Sequence, residues 1–215
     1  MRTAPNLRRR RHRREPKCRF IVLCEGKKTE PAYFEAVKYA YRDTLVEVET
    51  YPAVGVPYTI AEKAIEYARV LGLDPRSRRK KNSFEENDQV WAVFDRDEHP
   101  RFDEAVALCE RFGVHIGRSN PCFELWLILH EQDHNRAENR HEMQKIFESL
   151  RPEYKKDSAK TPDCVNLVSR VEKAEERSER QLQNHEQGGS PYGNPSTTVG
   201  RLTRAIREAA KLAGG

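Results

Sequence analysis

Acidic residues stand directly after two short apolar segments of the sequence. Glu25 follows the apolar residues 21–24, and Asp95 and Asp97 follow the apolar residues 90–94. Short runs of this kind are typical of strands that are buried on both faces of a parallel sheet. Ligands of open α/β sheets gather at the carboxyl ends of such strands. The three carboxylates are therefore expected to converge, although about 70 residues separate Glu25 from the two aspartates.

Three carboxylates brought together repel one another and raise one another's pKa. The sequence shows no fixed positive charge that would offset this repulsion, which favours a bound cation. Oxygen ligands suit Mg²⁺ or Mn²⁺ and do not suit zinc. The alternative is that Asp95 and Asp97 belong to an ordinary acidic loop and that Glu25 is an acid near a helix start.

Two further acids are candidates for the same metal site. Glu30 lies near a predicted helix start, where a carboxylate either binds the metal or simply interacts favourably with the helix dipole. Glu124 lies within the apolar segment CFELWLILHE, where a charge is costly unless it is paired or bound to a metal. We interpret Glu124 as a metal ligand or as an acid that holds a metal-bound water. A buried ion pair is the alternative.

The first residues of the chain form a basic arm. The formal net charge is +5, but residues 1–19 hold nine Lys or Arg and one Glu, or +8, which leaves −3 for the remainder. Such a segment cannot form a core and is predicted to be mobile. It is interpreted either as a nucleic-acid attachment site or as a solvated tail. The arginines assigned to nucleic-acid binding are Arg8, Arg9, Arg10, Arg11, Arg13 and Arg14.

Composition excludes several classes of protein. No run of about 18 apolar residues exists, so no membrane-spanning helix is expected. The N-terminal arginines are not followed by an apolar stretch, so no secretory signal is expected. The five cysteines form no CxxC pair, and Cys24, Cys109 and Cys122 lie in apolar runs. This pattern favours buried thiols in the cytoplasm and disfavours a structural zinc site.

Strand and helix patterns alternate along the first part of the chain. This alternation predicts an α/β fold, with a mainly parallel sheet that carries helices on both faces. Three segments are expected: a basic flexible arm at residues 1–16, an α/β core at residues 17–131, and a charged helical extension at residues 132–215 that packs on the core.

A resemblance to known proteins rests on four blocks of sequence. A strand followed by Glu-Gly, and a second strand followed by DxD, resemble the Rossmannoid Toprim domain of primases, topoisomerases and overcoming-lysogenization-defect nucleases. The blocks VLCEGKKTEPAYF, VWAVFDRDEHP, SNPCFELWLILH and NPSTTVGRL together resemble more closely the RloB-like family of restriction-linked, antiphage-defence proteins. The resemblance implies a Toprim fold, a divalent metal and nuclease action, often beside an ATPase of the ABC or AAA type.

The resemblance extends to individual residues. Nuclease members of the wider class carry EGxxE, whereas this chain has EGKKTE, so the transfer of the second acid onto Glu30 is less direct. Phosphodiester cleavage also needs positive charge near the developing oxyanion. Lys27 is the candidate for this catalytic role beside Glu25, Asp95, Asp97 and Glu124. Lys28 is a candidate for nucleic-acid binding, and a solvated loop is the alternative for both lysines.

Two functions are therefore considered. The first is a nuclease that depends on Mg²⁺ or Mn²⁺ and cleaves DNA or RNA in antiphage defence. The chain has no ATP-binding P-loop, so an ATPase would be a separate protein. The second is a Toprim-like module that binds nucleic acid or a partner ATPase without cutting. The sequence leaves the choice between DNA and RNA open, and also the oligomeric state, with a homo-oligomer among the alternatives.

Overall fold

The computed structural model describes residues 18–42, 44–50, 56–78, 81, 85–96, 101–154 and 161–214. The arginines of the basic arm and Asp97 lie outside these ranges. Predictions for those residues therefore remain predictions.

The described residues form a five-stranded sheet in the order β2-β1-β3-β4-β5. The first four strands are parallel, and β5 runs antiparallel to β4. Their bounds are β1 Arg19–Cys24, β2 Leu45–Thr50, β3 Gln89–Asp95, β4 His115–Asn120 and β5 Ser196–Thr197. The predicted α/β fold with a mainly parallel sheet is confirmed, and β2 is an edge strand as its alternation of apolar and acidic residues indicates.

Eight helices occur in the described part of the chain. They are α1 Thr29–Ala40, α2 Pro57–Leu71, α3 Phe102–Arg111, α4 Glu124–Glu131, α5 Arg140–Leu150, α6 Cys164–Val168, α7 Val171–Gln187 and α8 Val199–Gly214. Within the described ranges, none of these helices is long and apolar enough to cross a membrane. All five cysteines are free thiols, and four of them are buried, as predicted for Cys24, Cys109 and Cys122.

Each face of the sheet is covered by helices because strand side chains alternate between faces. Leu23, Ala92 and Phe94 pack with α2 and α3 in one apolar cluster. Val22 and Val93 pack in a second cluster with α1, α4, α7 and α8. The core therefore consists of two layers of side chains that support the carboxyl ends of β1 and β3.

The C-terminal segment contributes a strand as well as helices. Thr197 pairs in register with Ser119 of β4. The Thr198 hydroxyl donates to the carbonyl of Ile116 at 2.8 Å and accepts from the backbone N–H of Arg118 at 3.0 Å. The Thr198 hydroxyl thus forms hydrogen bonds with the backbone of β4, which explains why this polar residue is buried just before α8. The segment that was predicted to be a helical extension therefore also supplies the fifth strand of the sheet.

Candidate active site

Glu25 and Asp95 lie side by side at the ends of adjacent parallel strands. The backbone N–H of Glu25 donates to the carbonyl of Val93 at 3.2 Å, which extends the pairing of β1 with β3 by one residue. Glu25 Oε2 then accepts from the backbone N–H of Asp95 at 3.4 Å. The Asp95 side chain is buried. Strand order thus brings together two of the three acids that the sequence predicts to converge.

Glu30 reaches back to the same place from the first turn of α1. Its side chain is buried, and Oε2 has no hydrogen-bond partner in the described part of the chain. The carboxylate lies against Gly26, where an added Cβ would overlap Oε2. Glycine is therefore required at position 26, because the Glu30 carboxylate approaches it too closely for a side chain. Helix α1 begins only at Thr29, so the additional residue in EGKKTE does not take Glu30 away from the site.

Glu124 is the first residue of α4 and is also buried. Its Oε1 accepts from the Tyr154 hydroxyl at 3.0 Å and from Gln144 Nε2 at 3.3 Å. Both donors are neutral, and Glu124 forms no ion pair with a residue that the structure describes. Burial raises the pKa of Cys122, and the negative charges of Glu124 and Asp95 add to this effect.

The four acids are linked by their electrostatic effects on one another. Burial, followed by the charges of Glu25 and Glu124, raises the pKa of Glu30 to about 8. Burial, followed by the charge of Glu30, raises the pKa of Asp95 well above its ordinary value, and Glu124 and Glu25 add to this effect. We call Glu25, Glu30, Asp95 and Glu124 the carboxylate cluster.

Arg140 provides a fixed positive charge at the cluster. It is the first residue of α5, and its guanidinium nitrogen Nη2 lies 2.9 Å from Asp95 Oδ2. The Asp95 side chain is 5% exposed, whereas that of Arg140 is 40% exposed and so is partly open to solvent. Its charge acts against the rise of the pKa of Asp95 and of Glu30. The sequence-based view that no fixed positive charge is available was therefore wrong, because Arg140 arrives from a distant helix.

Helix α5 and the turn after it carry three side chains that contact the cluster and that sequence analysis missed. These are Arg140, Gln144 and Tyr154. One signal was present: Gln144 lies beside Met143 in the buried stripe of an amphipathic helix, where an apolar residue is expected. Arg140 lies four residues earlier on the same face. A polar residue in a buried stripe indicates a buried polar partner, here Glu124.

A hydrogen-bonded histidine fixes α1 against α4. His130 Nδ1 donates to the carbonyl of Trp126 at 2.9 Å, so Nε2 is the acceptor for the Tyr33 hydroxyl at 3.0 Å. Burial lowers the pKa of His130 to about 4, so the ring is neutral near neutral pH. This contact fixes the spacing between the helix that carries Glu30 and the helix that carries Glu124.

Lys27 and Lys28 are exposed in the turn between β1 and α1. Lys28 is the N-cap residue of α1, and its carbonyl accepts from the backbone N–H of Ala32 at 3.0 Å. Neither ammonium group contacts the carboxylate cluster within the described residues. The catalytic role of Lys27 and the binding role of Lys28 remain predictions.

The donor chemistry of the cluster fits a hard divalent cation. Among the described residues, no group of three or more His, Cys, Asp or Glu is arranged to hold a metal ion. The cluster nevertheless offers only carboxylate oxygens, which Mg²⁺ and Mn²⁺ prefer, and one of them, Glu30 Oε2, is buried without a partner. Arg140 already binds Asp95 Oδ2, so a metal would share Asp95 with the guanidinium.

The raised pKa of Glu30 predicts how the metal-free protein responds to pH. Between the ordinary value of 4.5 and about 8, the folded protein keeps a proton on Glu30 that the unfolded chain has released. The free energy of unfolding should therefore fall as pH rises through this window, by at most about 1.4 kcal/mol per pH unit for this group. Thermal melts in EDTA at about pH 5 and about pH 8 measure the effect.

Glu30→Gln is the matched control, because the amide is neutral at every pH. It should flatten the decline in melting temperature between these two pH values. An unchanged decline in the variant would show that Glu30 does not titrate in this way.

Comparison with known proteins gives one match. A family described as RloB-like protein matches residues 20–206, which is most of the chain. The matched region includes all four acids of the cluster and the three side chains that α5 and its following turn supply. No curated protein and no solved structure matches the chain.

Proposed function

The chain belongs to the RloB-like protein family, and on that premise we propose that it is a metal-dependent nuclease that hydrolyses the phosphodiester bonds of nucleic acid. The observation that carries this proposal is the carboxylate cluster at the carboxyl ends of β1 and β3. Four acids meet there although burial, and then their mutual repulsion, raises the pKa of two of them. Carboxyl groups with such perturbed pKa values cluster at functional sites.

The four acids of the cluster would hold Mg²⁺ or Mn²⁺, which when bound activates water and stabilises the leaving oxygen. Tyr154 and Gln144 hold the Glu124 carboxylate in one orientation through hydrogen bonds to Oε1. Glu30 keeps a proton near neutral pH in the metal-free protein, so its Oε2 is suited to accept or release a proton there.

Arg140 lies between the carboxylate cluster and solvent. Its Nη2 binds Asp95 Oδ2, and the side chain is 40% exposed, on the side from which a substrate arrives. Guanidinium groups bind phosphate oxygens through paired hydrogen bonds. Arg140 would therefore orient the scissile phosphate against the cluster, and it would also supply positive charge near the developing oxyanion, the role for which Lys27 was the candidate.

The wider context is proposed from family resemblance. We assign the activity to antiphage defence beside a partner ATPase, since the chain has no P-loop of its own. The basic arm would add electrostatic attraction to nucleic acid. The non-cutting module remains a second candidate, and one observation favours it: the Arg140–Asp95 ion pair already neutralises part of the cluster without a metal.

Cleavage assays with the purified full chain test the proposal. DNA and total RNA are incubated with Mg²⁺, with Mn²⁺ or with EDTA, each with and without the neighbouring ATPase. We expect cleavage that requires the metal, and none from an identically purified Asp95→Asn variant, which controls for contaminating nucleases. Binding of nucleic acid without cleavage under every condition would contradict the nuclease and support the module.

A further inference from the structure

We infer that a second basic surface, formed by Arg96, Arg118 and Tyr192 at the ends of β3 and β4, binds the backbone of a single nucleic-acid strand beside the carboxylate cluster. We call these three residues the Tyr192 patch. The inference names the part of the protein that holds the substrate, and in that respect it rests on the proposed nuclease.

Tyr192 is the centre of the patch. It lies in the loop between α7 and β5, and its backbone is left-handed with a φ of 63°. The guanidinium carbon of Arg118 lies 3.1 Å from the centre of the Tyr192 ring. Arg96 Nη1 and Asn120 Nδ2 both donate to the Tyr192 carbonyl, at 3.3 and 3.1 Å. A left-handed backbone is uncommon for a tyrosine and persists where its surroundings hold it. The contacts with Arg118, Arg96 and Asn120 hold the Tyr192 backbone in this conformation.

The Tyr192 patch brings two positive charges, those of Arg96 and Arg118, to one tyrosine. Within the described part of the chain, neither arginine forms an ion pair with Asp or Glu. Burial lowers the pKa of Arg118, Tyr192 and the negative charge of Glu110 act against this effect, and the positive charge of Arg96 adds to it. The two guanidinium groups therefore repel each other while both are held against the same tyrosine.

Two other arginine pairs in the described part of the chain are neutralised. Glu131 binds both Arg151 and Arg170. Glu175 binds both Arg204 and Arg207. These acids join helices and have a structural role. Among the residues described, no acid binds Arg96 or Arg118 directly in this way, so the two guanidinium groups can bind an anionic ligand.

The patch and the carboxylate cluster share the end of β3. Arg96 follows Asp95 directly, and Arg118 pairs in register with Phe94. Because strand side chains alternate, Arg96 and Arg118 leave the sheet on the side of α3, where Arg96 lies over the Phe102 ring, and Asp95 leaves it on the other side. A strand of nucleic acid that crosses the carboxyl ends of the sheet would meet both groups.

The chemistry of the patch suits a phosphodiester backbone. Guanidinium groups bind phosphate through paired hydrogen bonds, and an arginine beside an aromatic ring is typical of surfaces that bind single strands. Arg96 is exposed, whereas Tyr192 and Arg118 are half-buried. The arginines would therefore bind phosphates, and Tyr192 would chiefly position them.

Binding of a labelled single-stranded oligonucleotide to the full chain tests this inference. Fluorescence anisotropy is measured in EDTA, so that binding is separated from cleavage, over a series of salt concentrations. We expect Arg96→Gln and Arg118→Gln each to weaken binding several-fold. Each should also reduce the slope of log affinity against log salt concentration by about 0.7.

Arg69→Gln is the matched control. Arg69 is likewise an exposed arginine whose guanidinium lies over an aromatic ring, that of Phe112, but it is close to the end of α2, away from the patch. This variant should leave affinity and slope unchanged. If Arg118→Gln fails to fold because its side chain is half-buried, Arg96→Gln decides the question, since that side chain is exposed.

Wild-type affinity and slope in Arg96→Gln would overturn the inference. So would displacement of the oligonucleotide by an equal concentration of mononucleotide, which would indicate a nucleotide site. A chain that binds through the patch but never cleaves would leave the inference standing and reject the nuclease. A chain that cleaves, with patch variants that bind normally, would reject the inference alone.

Discussion

Replacement of Glu124 by glutamine is expected to abolish cleavage and to leave the melting temperature of the metal-free protein nearly unchanged. Glutamine keeps the shape of the side chain and an oxygen that can accept from Tyr154 and Gln144. It removes the negative charge that only a cation requires. Activity should fall by more than about a hundredfold, since even loss of a residue that merely supports a metal ligand costs about ten- to a hundredfold.

The matched control is Glu131→Gln, which changes a half-buried acid whose role is structural. Glu131 binds both Arg151 and Arg170, so the amide removes the carboxylate from two ion pairs. Breaking a fully buried pair costs about 3–5 kcal/mol, and this half-buried pair should cost up to that amount, or a fall of up to roughly 10 °C in melting temperature for a chain of this size. Activity at low temperature should survive. The reverse pattern in Glu124→Gln, a much lower melting temperature with activity kept, would refute its role as a metal ligand.

Replacement of Arg140 by glutamine is expected to destabilise the metal-free protein and to strengthen Mn²⁺ binding. Arg140 is the cation that contacts Asp95 in the absence of metal, so its removal leaves the carboxylate cluster without that compensation. The fall in melting temperature should be largest near pH 8 and above, where more of the cluster is ionised. Asp95 Oδ2 becomes available to the metal at the same time.

Thermal melts in EDTA and in Mn²⁺, together with calorimetric titration of Mn²⁺, measure both effects. The rise in melting temperature on addition of Mn²⁺ should be larger for Arg140→Gln than for the wild type, because tighter binding stabilises the folded state further. Arg140→Lys keeps the charge and should lie between them. Lys145→Gln, on the exposed surface of the same helix, should behave as the wild type. Weaker Mn²⁺ binding by Arg140→Gln would show that Arg140 assists the site and does not compete with the metal.

The two variants together separate the proposed nuclease from the non-cutting module. A nuclease should lose cleavage in Glu124→Gln and should retain Mn²⁺ binding in Arg140→Gln. In a module, Arg140 serves as the permanent counter-ion of the cluster. Arg140→Gln should then be destabilised without rescue by Mn²⁺.

The sequence by itself determined the α/β fold and the meeting of Glu25 with Asp95. Both follow from local patterns: apolar runs that are too short for helices, amphipathic segments between them, and the rule that parallel strands end at one edge. The burial of Glu124 also followed from its sequence, because apolar residues surround it on both sides.

Only the tertiary structure decided which groups meet the cluster from outside the core. Arg140, Gln144 and Tyr154 come from a segment whose local pattern indicates a charged helix with a buried polar contact at Gln144, but does not identify the residue that it contacts. The pairing of β5 with β4, and the contacts of Tyr192 with Arg96 and Arg118, likewise join segments about 75 to 95 residues apart. Helix and strand propensities act over a few residues, whereas such contacts depend on how whole helices pack on the sheet. The charge balance of the candidate site, and with it the choice between Arg140 and a metal as counter-ion, is therefore a property of the folded chain.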